Sequence, residues 1–105
     1  MRKYETVIIA DPELSEAQLK DLFEKFKNLI TRFHGNLIKI ENWGLKNMAF
    51  EVNHKRSGYY VIFEYCGNPD IVEKIEHNIK IDDRIIRFLT IKTSDKINES
   101  ERRAN

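Results

Sequence analysis

Residues 35–66, GNLIKIENWGLKNMAFEVNHKRSGYYVIFEYC, restrict the fold more than any other stretch of the chain. Two arms rich in β-branched and aromatic residues flank a polar interruption, the pattern of one long β-hairpin. The outgoing arm is expected from Asn36 to Val52 and the return arm from Tyr59 to Cys66. The tip is Asn53–His54–Lys55–Arg56–Ser57–Gly58, too polar and basic to be core. Leu37–Ile38–Lys39–Ile40–Glu41 partly alternates apolar with polar, the period of a pleated strand. Gly44 interrupts the first arm, and a glycine inside a strand pattern marks a bulge or a close backbone approach.

The segments around this hairpin read as two helices and two further strands. Lys3 to Ala10 is a strand whose alternate faces, Tyr4, Thr6, Ile8, Ala10 and Lys3, Glu5, Val7, Ile9, both carry apolar members, as a central strand does. Asp11-Pro12 ends it, because proline cannot donate to the ladder. Ser15 with Gln18 forms a capping-box pattern, and Glu16 suits the positive end of the helix dipole. Leu19, Leu22, Phe23, Phe26, Leu29, Ile30 and Phe33 then recur at spacings of three and four, one apolar helical stripe. Gly35 after His34 is the expected C-terminal stop. After the hairpin, Asn68 as N-cap and Pro69 at the first helical position open a short helix to about Asn78, with Ile71, Val72, Ile75 and Ile79 as its stripe. Ile81-Asp82-Asp83 turns the chain into a last strand of about Arg84 to Lys92, whose inward face the period alone does not decide.

The order strand, helix, strand, strand, helix, strand is the split βαβ, ferredoxin-like plan of α+β proteins (βαββαβ). It implies a four-stranded antiparallel sheet with two helices on one face. The first and third strands are central, the outgoing hairpin arm and the last strand are edges, and the second sheet face is open. Residues 1–93 are expected as a single domain, and 94–105, almost wholly polar, as a flexible tail.

Composition narrows the function. A 105-residue chain, 41% hydrophobic and 33% charged, suits one globular domain with its own core. The longest apolar run, Val7 to Ala10, is far short of a membrane span, and the opening Met-Arg-Lys-Tyr-Glu shows no signal or transit segment. The lone Cys66 rules out an internal disulfide framework and suits a cytoplasmic setting. His34, His54 and His77 have no second ligand at metal spacing, so a zinc site is not expected. Cys66 has no basic neighbour to activate it, and the isolated glycines form no phosphate loop. Asp82-Asp83 reads as a turn former ahead of a cation site. No catalytic residue, cofactor or small-molecule substrate is therefore assigned.

Binding is better supported than catalysis. Basic residues gather as Arg2 and Lys3, Lys46, Lys55 and Arg56, and Arg84, Arg87 and Lys92. If the first and last strands are neighbours, Arg2, Lys3, Arg84, Arg87 and Lys92 fall on one side of the sheet, a patch for phosphates. A solvated, mixed-charge surface is the competing reading. Net charge is only +1, so strong nucleic-acid binding would need local clustering or a partner. Tyr60 is placed to stack a base or to pack, and Val7, Ile9 and Ile62 beside it suggest a protein-contact surface.

Gly44-Leu45-Lys46-Asn47-Met48-Ala49-Phe50-Glu51-Val52-Asn53 resembles the signature of the bacterial small-subunit ribosomal protein six family. Gly44, Lys46, Asn47, Ala49 and Asn53 match it; Met48 stands for leucine, Phe50 for tyrosine and Val52 for isoleucine. The opening Met-Arg-Lys-Tyr-Glu, Gly58-Tyr59, and Ile81 to Arg87 are similar to the family in the same order. The resemblance implies a non-enzymatic, ribosome-associated protein. It would bind the central domain of small-subunit ribosomal RNA together with ribosomal protein eighteen, which supplies much of the positive charge. Arg2, Lys3, Arg84, Arg87 and Lys92, then Lys46, Lys55 and Arg56, are the expected RNA contacts. Val7, Ile9, Tyr60 and Ile62 are the expected partner surface. A ferredoxin-like regulatory domain binding a small metabolite is the alternative. A ferredoxin-like acyl-phosphate hydrolase would need an arginine where acidic Asp11-Pro12-Glu13 stands.

Overall fold

The computed structural model describes residues 2–52 and 54–94. Its elements are β1 (Arg2–Ala10), α1 (Glu16–Arg32), β2 (Asn36–Val52), β3 (Lys55–Gly67), α2 (Asp70–Lys80) and β4 (Ile85–Ser94). The strands form one antiparallel sheet in the order β2-β3-β1-β4, so β1 and β3 are central and β2 and β4 are edges. This is the expected ferredoxin-like arrangement. The expected tail lies, from Asp95 onward, outside the described residues, and Ser94 still belongs to β4.

Both helices cover one face of the sheet, the one whose apolar side chains run unbroken by charge across the central strands. Tyr4, Thr6, Ile8 and Ala10 of β1 are buried there, and Val61, Phe63 and Tyr65 of β3 share that side in register. The apolar stripe of α1 (Leu19, Leu22, Phe26, Leu29, Ile30) and that of α2 (Ile71, Ile75, Ile79) close over them. Phe26 stacks on Phe63 with ring centroids 3.8 Å apart and planes at 8°. Each such large side chain taken out of water contributes about 1.5–3 kcal/mol, which is what holds helices this short to the sheet. On β4, Phe88 packs against this core and Thr90 hydrogen bonds Thr6 at 2.9 Å, which decides the inward face that periodicity left open. The Thr6 hydroxyl also meets the Tyr65 hydroxyl at 2.9 Å. Burial pushes the Tyr65 phenol up to about 12, against the opposing effect of that hydrogen bond.

The helix ends depart from expectation in instructive ways. At the start of α1 the capping box is complete: Gln18 N–H donates to Ser15 Oγ at 3.2 Å and Ser15 N–H to Gln18 Oε1 at 2.8 Å. At its end the left-handed residue is His34 (φ 65), not Gly35. His34 N–H donates to Thr31 O and Gly35 N–H to Ile30 O, the two bonds of a Schellman motif. Gly35 serves close packing instead: a Cβ there would strike Ile71 Cδ1 and sit 2.8 Å from the Cys66 carbonyl oxygen. At α2, Pro69 is the capping position and makes no side-chain cap; Asn68 acts through its carbonyl, which accepts from Ile71 N–H at 3.0 Å.

The hairpin is longer than its sequence signature. The ladder closes at Val52↔Lys55, so Lys55, Arg56, Ser57 and Gly58 are strand residues and not a loop. Backbone pairing tolerates polar side chains when both faces are solvated, which apolar periodicity does not register. The register slips at Leu37/Lys39, Asn42/Gly44 and Asn47/Val52. The second slip is the bulge that Gly44 signalled, with Gly44 at φ 79. The third sets four residues of β2 against Arg56 alone, and Phe50 stands 79% exposed within it.

Candidate functional site

The sheet face opposite the helices is uncovered, and strand register fixes what lies on it. From β1 come Lys3, Glu5, Val7 and Ile9, directly opposite Cys66, Glu64, Ile62 and Tyr60 of β3. From β4 come Ile91, Leu89 and Arg87, opposite Glu5, Val7 and Ile9. From β2 come Lys39, Glu41, Gly44 and Lys46, opposite Glu64, Ile62, Tyr60 and Gly58. The expected partner surface, Val7, Ile9, Tyr60 and Ile62, is therefore one contiguous patch. Leu89 (60% exposed) and Ile91 (46%) extend it. Val7, Ile9, Arg87 and Leu89, with the β4 chain at Phe88, line an open groove. Among the described residues no three His, Cys, Asp or Glu side chains group as a metal site, and no helix is long and apolar enough to cross a membrane.

Charge divides along this face. At one end Glu5 and Glu64 stand opposite each other, and Lys3, itself only 6% exposed, bonds Glu64 at 2.7 Å. Beside them Lys39 bonds Glu41 at 2.8 Å, and Trp43 Nε1 donates to Glu41 at 3.2 Å. The Lys39 bond first, and the Trp43 bond second, hold the Glu41 carboxyl below its ordinary value. Three glutamates against two lysines leave this end acidic. At the other end lie Arg87 and Lys46, neither with an ion-pair partner among the described residues.

The basic residues predicted to form one phosphate patch do not come together. β1 and β4 are neighbours, as that prediction required, but alternation and turns scatter the five side chains. Arg2 and Lys92 fall on the helix side of the sheet and Lys3 and Arg87 on the open side. Lys3 and Ile9, the partner of Arg87, are six residues apart on β1, roughly 20 Å at strand rise. Neither Arg2 nor Lys92 is without a partner. Arg84 is committed elsewhere: it bonds buried Asp82 at 2.8 and 3.0 Å and Asp21 at 2.9 Å. Lys25 completes the cluster with Asp82 at 2.9 Å. The turn residue Asp82 is thus also the buried hub of an ion cluster whose other members reach the surface. In the hairpin, Lys55 is held by Glu13 and by Asp11, while Arg56 reaches Glu51 at 3.5 Å and remains exposed. Lys46 and Arg87 are left as the cations with most freedom to meet a ligand. Leu89, Ile91 and the Lys3–Glu64 pair were missed by sequence reasoning; alternate positions of β4 would have pointed to the first two had its inward face been known.

Comparison with known proteins adds the following. The sequence pattern of the family described as Ribosomal protein S6 matches residues 3–92. A small ribosomal subunit protein bS6 from Phocaeicola vulgatus is 45% identical over 92 residues, 88% of this chain and 81% of that protein. The bS6 protein of Desulfatibacillum aliphaticivorans is 40% identical over 97 residues, 92% of this chain; the chain spans only 52% of that relative's length. A crystal structure of 30S ribosomal protein S6 from Thermotoga maritima superposes with a TM-score of 0.85, covering 98% of this chain and 96% of that one. At 24% identity that likeness speaks for the fold.

Proposed function

This chain belongs to the ribosomal protein S6 family of the small ribosomal subunit, and on that premise we propose that it is a non-enzymatic assembly protein that binds the central domain of small-subunit ribosomal RNA jointly with ribosomal protein eighteen. The observation that carries the reading is the divided open face: an apolar surface rimmed by carboxylates at one end and, at the other, by cations with no ion-pair partner among the described residues. A chain of net charge +1 has little long-range attraction for RNA. A basic partner seated on Val7, Ile62, Leu89 and the glutamates beside them would supply that charge. The combined surface would then meet phosphates through Arg87 and Lys46, with Arg56 next and with Arg2, Lys3, Lys55 and Lys92 nearer the periphery. Arg84 leaves this set, because its guanidinium is already engaged by two carboxylates.

The test is binding to a central-domain ribosomal RNA fragment across a salt series, with and without ribosomal protein eighteen. Tight binding only with the partner present is the expected outcome. Arg87→Ala should weaken it and lower the slope of log K against log salt by about 0.7–0.9, one phosphate contact. Absence of binding under both conditions, with both proteins folded, overturns the reading.

A further inference from the structure

We propose that the Arg87 end of the open face seats one unpaired nucleotide of single-stranded RNA, its base stacked on Tyr60 and its flanking phosphates held by Arg87 and Lys46. The site rests on the RNA-binding reading above and gives it an address. Register places Arg87, Ile9, Tyr60 and Gly44 in one row across all four strands, with Lys46 two residues beyond Gly44 on the same edge strand. Strands are about 4.8 Å apart, so Arg87 starts about 10 Å from Tyr60 on one side and Lys46 starts on the adjacent strand on the other. Both side chains are long enough to close on a ligand lying over the ring.

The β2 residue opposite the ring carries no side chain. Gly44 stands opposite Tyr60 with φ +79, and a Cβ there would meet nothing within 4 Å. Tyr60 is only partly buried. A partly exposed aromatic side chain opposite a glycine can take a stacked base, and a cation on either side suits the phosphates before and after it. The carboxylates close to this end are engaged: Glu41, one pair along, by Lys39 and Trp43, and Asp11 and Glu13, just past β1, by Lys55. Glu5 and Glu64 lie further along, near the opposite end. A basic protein would meet Arg87 and Lys46 here, neither ion-paired among the described residues, and more of its counter-charges at the other end. That separation favours RNA for this end of the face and the protein partner for the other.

The experiment uses the full chain with the same partner protein and RNA fragment. Tyr60→Leu keeps apolar bulk and removes the π face; Tyr60→Phe keeps the ring. RNA affinity should fall roughly tenfold in Tyr60→Leu, with the salt slope unchanged, and stay within about twofold in Tyr60→Phe. The double variant Lys46→Gln, Arg87→Gln should lower the salt slope by about 1.5. Wild-type affinity in Tyr60→Leu overturns the site, as does a Tyr60→Leu loss that appears equally in binding to the partner protein without RNA. If Tyr60→Leu does not fold, photo-crosslinking of wild-type protein to 5-iodouridine-substituted RNA replaces it, with a Tyr60 adduct expected and its absence overturning the site. A wild-type chain that binds no RNA beside its partner removes the RNA-binding reading itself, and the site with it.

Discussion

Arg84 and Asp82 adjoin one turn and bond each other, and two residues of α1 complete their chemistry from some sixty positions away. Asp21 comes from α1 to meet Arg84, and Lys25, one turn further along the same helix, meets Asp82. Hydrogen bonds from Arg84 first, and from Lys25 after the opposing effect of burial, hold the Asp82 carboxyl well below the usual carboxylate range. A carboxyl whose folded pKa is depressed binds fewer protons in the folded state than in the unfolded state. Its stabilisation is therefore complete above the unfolded value, about 3.9, and is lost as pH falls below it. Asp82→Asn should cost about 2–3 kcal/mol at neutral pH, because it leaves Arg84 and Lys25 without a buried counter-charge. It should also flatten the fall in stability between about pH 4 and pH 2; urea unfolding of both proteins across that range is the measurement. From sequence, Arg84 was legible as a cation and Asp82 as a turn former. Their engagement by Asp21 and Lys25 was not, because an ion pair across the fold leaves no local pattern.

Elements were more legible than contacts. The two helices, the bulge at Gly44 and the full span of β2 follow from period, caps and punctuation, all of which act within a few residues. Where the reading slipped, a longer-range constraint was at work. Gly35 looked like a helix stop because glycine takes left-handed backbone freely, yet that conformation falls to His34. Gly35 is small because α2 and the end of β3 press on it from 31 or more residues away. The two positions should therefore respond in opposite directions. His34→Gly relieves left-handed strain and should stabilise by about 0.5–1 kcal/mol. Gly35→Ala forces Ile71 and the Cys66 carbonyl apart and should cost about 1–3 kcal/mol. Denaturant midpoints of the two variants decide it; equal effects would mean that Gly35 carries the strain after all. The hairpin ends show the same limit. Lys55 to Gly58 are strand because backbone ladders continue through residues that carry no apolar signal.

At the scale of the whole fold, the described residues form a sheet with one face spent on its core and the other left uncovered. The two should separate experimentally. Leu89 is 60% exposed on the open face, so Leu89→Asp should change unfolding free energy by no more than about 0.5 kcal/mol. The same change should weaken joint binding to RNA and ribosomal protein eighteen at least tenfold, since it places a charge in an apolar contact. An unfolding midpoint shifted as far as the binding would make Leu89 a core residue. The amino-acid sequence by itself determined the βαββαβ order, the helix-facing residues of β1, the stripes of both helices, and the signature from Gly44 to Asn53 that resembles the family. Periodicity, capping and punctuation are properties of neighbours, and they survive without a third dimension. Only the tertiary structure decided which cations remain available, which face of β4 looks inward, and that Tyr60 lies in a row with Arg87 and Gly44. Those depend on strand register, in which a shift of one residue turns every side chain to the other face, and register is set by the packed core as a whole.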